Sequence, residues 1–178
     1  MLQDAAEAAA AAGRGAEAAE LLQRALDDGF LKALRLSRGN ADAQVGVAET
    51  RLAQARAAAA AGDAAGAAAA AAGAADAYAA ALAQPAALGT VTERLDVQYN
   101  FACAASQCGA CWLVRGYVIS NRSDSHIAHI AAGRFEEANR ALAEVLACGG
   151  TTLADAEADP DLAPLRAATS GARTTDER

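Results

Sequence analysis

The runs "YNFACAASQCG" (residues 99–109) and "RFEEANRALAEVLACGG" (residues 134–150) read as one helical hairpin once the 24 residues between them, 110–133, are set aside. Gly109 then stands at the turn. Counted from that glycine, Ala102 lies seven residues earlier, and across the join Ala138, Leu142 and Val145 fall five, nine and twelve residues later. Small residues at these offsets lie where two antiparallel helices cross closely, with the large apolar residue pointing between them.

The same arithmetic applies twice more. From Gly13 it selects Ala6, Ala18, Leu22 and Ala25, and from Gly62 it selects Ala55, Ala67, Ala71 and Ala74. Hairpins are therefore expected over about 1–29, 46–84 and 92–148, with a connection at 30–45 and with Pro85 marking the end of the second hairpin. After the third, Asp159 suits an N-cap and Pro160 the first helical position. A capping helix over about 159–168 follows, its Leu162 and Leu165 covering the open end of the last hairpin. Residues 169–178, "TSGARTTDER", have little to bury and are expected to be a disordered tail.

The rejoined third segment resembles a tetratricopeptide repeat, with its small residue in the first helix, glycine turn, then alanine, large apolar and small residues in the second. The tail "DAEADPDLAPLR" resembles the capping helix that closes such arrays. Gln98 and Gly150 depart from the family, which often has an aromatic and a proline there, and the second segment is alanine almost throughout. The resemblance implies an all-α fold over 1–168: stacked antiparallel hairpins in a right-handed solenoid, a C-terminal cap and an irregular insertion at 110–133. It also implies a concave groove lined by the first helices, to which Tyr99, Cys103, Ser106 and Gln107 would contribute as partner-binding residues. Tyr99 is the best anchor, since it offers rigid area with a polar tip. The first-repeat equivalents are Gln3, Glu7, Ala10 and Ala11, and the whole chain has one lysine, Lys32. The lysine and asparagine clamp by which some relatives hold an acidic carboxyl tail is therefore not matched.

A second reading attaches to the insertion. Cys108 and Cys111 form a Cys-x2-Cys pair, followed by His126 and His129. Thiolates on a knuckle and imidazoles on one helical face can converge tetrahedrally on zinc, and Cys-x2-Cys can also serve thiol redox chemistry. Against this, the histidines are spaced x2, one short of the usual x3 to x5, and Cys108 belongs by the repeat frame to the first helix. Residues 110–133 also hold both histidines, the single tryptophan and Ile119, Ile127 and Ile130, the only isoleucines of the chain. That vocabulary differs from the alanine, glycine, leucine and arginine around it. It marks an inserted loop or a retained in-frame intron more than a functional centre, so no cofactor is assigned.

Alanine dominates the composition and aromatics are only 4%, so helices should form readily and pack weakly. A net charge of −7 with dispersed basic residues gives no phosphate-tracking stripe, which argues against nucleic acid. The longest apolar tract, Ala64–Ala75, is alanine and glycine, too short to span a bilayer of about 30 Å. Neither a phosphate loop nor a Ser/His/Asp constellation is present, and Glu136, Glu137 and Glu144 read as a solvated helical face. Four cysteines without a secretory signal fit a reducing compartment. The expectation is a non-catalytic module, an adaptor, scaffold or complex-assembly factor that binds a protein or peptide. It would act in the cytoplasm, or in a chloroplast or other organelle if a leader precedes the chain.

Overall fold

A computed structural model describes residues 2–12, 14–37, 39–120 and 125–173, with side chains except at 3, 7, 10, 11, 16, 109–120, 125–133 and 169–173. All regular structure among the described residues is helical. The chain divides into two compact units, residues 1–90 and 91–178.

In the first unit, α1 (Leu2–Ala11) packs against α2 (Gly15–Arg24) through Ala6 and Ala9 on one side and Ala18 and Leu22 on the other, all buried. Gly13, the expected turn, lies outside the described residues. Beyond α2 the helix runs through one π-helical stretch, Ala25–Phe30, into α3 (Leu31–Leu36). The connection expected at 30–45 is thus largely helical. No proline interrupts it, and extending an existing helix adds a hydrogen bond for each residue fixed, whereas nucleating a new one is costly.

Asn40 caps α4 (Ala41–Ala60), its Oδ1 accepting from the Ala43 N–H at 3.0 Å. Asp63 caps α5 (Ala64–Leu82), its Oδ1 accepting from the Gly66 N–H at 2.8 Å. Between them Gly62 adopts φ of 76°, a left-handed conformation that glycine reaches without a Cβ clash. The interface is built from alanine: Ala48 and Ala55 on α4, with Ala67, Ala71, Ala74 and Ala75 on α5, are buried alongside Leu52 and Tyr78. At Gly46, in the middle of α4, the missing side chain makes room for the Phe30 ring. The two hairpins of this unit pack on each other where α2 and the π-helical stretch meet α4.

The second unit opens with α6 (Val91–Ser120), packed along α7 (Ser125–Ala147). Here the structure corrects the sequence reading. Gly109 is not a turn, and the irregular insertion expected at 110–133 is helical wherever it is described: α6 continues through Gly109 to Ser120, and α7 is already helical from Ser125, with 121–124 outside the described residues. The run 110–120 contains no proline, and the two interior glycines, Gly109 and Gly116, cost the helix only about 1 kcal/mol each, which the pre-existing helix absorbs.

α7 ends at Ala147 and the chain turns at Gly149, whose φ is 72°. Then come α8 (Leu153–Ala158), a 3₁₀ turn at Pro160–Leu162 and α9 (Ala163–Arg173). α8 is an element the sequence reading did not anticipate; Thr152 caps it by accepting from the Asp155 N–H at 3.1 Å while donating to the Asp155 carboxylate at 2.6 Å. α9 runs past residue 168, so the tail expected to be disordered is helical to Arg173, and 174–178 lie outside the described residues.

The positions selected by counting from the three glycines are buried, apart from half-buried Leu142. Each hairpin therefore closes over its small residues, as helices with short side chains must to come into contact.

A candidate docking face on helix α6

Tyr99, Cys103, Ser106 and Gln107 stand at i, i+4, i+7 and i+8 of α6, which puts them on one helical face. The structure brings all four together, and what they meet is the chain's own C-terminal segment. The Tyr99 hydroxyl donates to Asp159 Oδ2 at 2.7 Å. The Cys103 thiol lies 3.8 Å from the same oxygen. Ser106 Oγ accepts from the Leu165 N–H at 3.2 Å, and Gln107 Nε2 donates to the Asp161 carbonyl at 3.3 Å and approaches its Oδ1 at 3.5 Å. Ser106 is fully buried and Cys103 is 2% exposed, while Tyr99 and Gln107 are half-buried, so the face expected to line an open groove is occupied here.

The segment is shaped before it docks. Asp159 Oδ1 accepts from the Asp161 N–H at 2.8 Å, Pro160 fixes its own φ at the start of the 3₁₀ turn, and Arg166 donates to the carbonyls of Ala156 and Asp159 at 3.0 Å each. Beneath these polar contacts Leu162 (1% exposed) and Leu165 (3%) enter a cluster with Ala102, Ala105, Phe135 and Ala138. Burial of apolar area therefore supplies the bulk of the attraction. The hydrogen bonds fix the register, because each satisfies a group that docking removes from water.

The electrostatics follow the geometry. Burial, and next the hydrogen bond to Asp159, hold the Tyr99 phenol well above the ordinary tyrosine range: ionising it would set a second negative charge against the carboxylate. Cys103, Asp159 and Asp161 also bring three potential metal-ligand atoms within 4.8 Å of one another. Both acids are already engaged in docking, Asp159 with Tyr99 and with the turn it caps, Asp161 with Gln107. The cluster is thus accounted for as a consequence of the seated segment.

The zinc alternative receives no geometric support among the described side chains. Cys108 is fully buried inside α6, well before that helix ends, while the side chains of Cys111, His126 and His129 lie outside the described residues, as do those of Gln3, Glu7, Ala10 and Ala11. Sequence reasoning missed Asp161 and Arg166. "DPDL" signals a capped helix start, and nothing local says that its carboxylates also reach across to another helix.

One described helix, α5, is long and apolar enough by composition to cross a membrane, yet Ala71, Ala74, Ala75, Tyr78 and Ala81 along it are buried within its own unit. The chain matches no protein-family model, no curated protein and no solved structure.

Proposed function

We propose that the chain is a non-catalytic protein-interaction module of tetratricopeptide-like hairpins, an adaptor, scaffold or complex-assembly factor. The observation that carries this reading is the α6 face. Its four side chains address a carboxylate, a backbone carbonyl and a backbone N–H of a helix-forming segment over a bed of alanine. That is the chemistry by which one polypeptide reads another. The one frame of small buried residues shared by the three hairpins supports the repeat assignment.

Affinity purification of the tagged chain from cells that make it, followed by crosslinking mass spectrometry, tests the reading. The expected result is a protein crosslinked within residues 91–168. Recovery of the chain without such a protein, but with stoichiometric zinc that Cys108→Ser removes, would replace it with the metal-site alternative.

A further inference from the structure

We infer that the α6 face is a recognition site for a segment of the form Asp-Pro-Asp-Leu-x-x-Leu, that residues 152–168 are its resident occupant, and that the partner carries a segment of the same chemistry and enters by displacing them. This rests on the interaction-module reading above.

The selectivity is written in the contacts. The first aspartate serves two partners at once: Oδ1 caps the turn through the Asp161 N–H, and Oδ2 receives the Tyr99 hydroxyl. A glutamate, one methylene longer, cannot hold both, and alanine holds neither. Proline sets the chain direction into the turn. The two leucines, three residues apart, fall on one side of the nascent helix and fill the alanine-lined cluster. Ser106 reads a main-chain N–H, and Gln107 a main-chain carbonyl together with the Asp161 carboxylate, so they demand the segment's conformation and its second aspartate. The four residues of the face are uncharged, which favours this defined turn over any run of acids.

The resident segment is tethered through Gly149 and Gly150, directly after α7. A tether this short gives an effective concentration in the millimolar range, so a free partner competes poorly until the tether is opened or the resident contacts are weakened.

The test uses the full-length chain with a protease site inserted between Gly150 and Thr151, folded first and cut afterwards. The probe is a fluorescein-labelled peptide of residues 152–168, followed by anisotropy. The cut chain is expected to take up the probe and the uncut chain to leave it free. An Asp159→Ala peptide is expected to bind at least about 10-fold more weakly, the loss of hydrogen bonds to a charged acceptor. Uptake of the Asp159→Ala peptide as strong as that of the native one would overturn the inference, as would no uptake by a cut chain that remains helical. Should the insertion prevent folding, uncut Leu165→Ala serves instead, with tighter probe binding than wild type expected and equal binding refuting. The two proposals separate cleanly. Probe failure alongside a captured partner removes this inference alone; probe uptake with no partner in the crosslinking experiment leaves the recognition site and removes the adaptor role.

Discussion

Replacing Gly46 by alanine is expected to destabilise the first unit, although the same change in an ordinary helix interior stabilises. Ala exceeds Gly in helix propensity by about 1 kcal/mol, and Gly46 sits well inside α4. A Cβ at that position, however, would overlap Cδ1 and Cε1 of Phe30 and stand only 2.6 Å from Cζ. Ring atoms cannot be compressed to such distances, so either α4 shifts against the π-helical stretch or the half-buried ring swings into water. Overpacking of this kind costs about 1–3 kcal/mol, which outweighs the propensity gain and leaves a net loss of about 1 kcal/mol. Urea unfolding followed by far-ultraviolet circular dichroism measures it, and an unchanged m-value would place the effect in stability rather than in the unfolded chain. The decisive comparison is a double-mutant cycle. With Phe30→Ala the obstacle is gone, and Gly46→Ala should then stabilise by about 1 kcal/mol. A stabilising Gly46→Ala in the presence of Phe30 would refute the steric account.

Leu162→Ala should cost the second unit about 2–5 kcal/mol, because the side chain is almost wholly buried and little around it can collapse into the space; a loss below 1 kcal/mol in the same urea assay contradicts that packing. Tyr99→Phe should alter the pH dependence. The folded phenol titrates above its unfolded value of about 10, so its contribution is present below that pH and fades as pH rises beyond it. Unfolding series from pH 8 to 11 should accordingly show wild type losing stability relative to Tyr99→Phe at the alkaline end, and parallel curves would be inconsistent with the Tyr99–Asp159 bond. Asp63→Ala should destabilise by about 1 kcal/mol through loss of the α5 cap, with Asp63→Asn nearly neutral.

The reach of the sequence can be judged at the glycines. Gly62 was legible as a turn because glycine, aspartate and the alanine frame all agree there, and the left-handed backbone follows. Gly109 offered the glycine and the alanine frame without the aspartate, and it lies inside a helix. The frame alone cannot place a turn. A hairpin lengthened on both arms keeps its original offsets, and here α6 gains residues 110–120 while α7 gains 125–133, so Ala138 and Val145 still close on the first arm. At 1.5 Å per residue the α6 extension is about 16 Å of helix that the frame did not reveal. The docking residues show the complementary limit. Tyr99, Cys103, Ser106 and Gln107 were legible as a set from their helical spacing, but their occupant was not, because the contacts join positions 54 to 60 residues apart that share no local pattern.

The alanine interface between α4 and α5 has a calorimetric consequence. Heat-capacity change on unfolding scales with the apolar area newly hydrated, and methyl groups such as those of Ala48, Ala71, Ala74 and Ala75 expose far less of it than leucine or phenylalanine at the same depth. The first unit should therefore fall below the usual increment of about 12–15 cal/mol/K per residue. A small increment flattens the stability curve, so this unit should change little in free energy with temperature around its maximum. It should also yield cold denaturation only far below freezing, where a leucine-rich bundle of equal stability would already have opened.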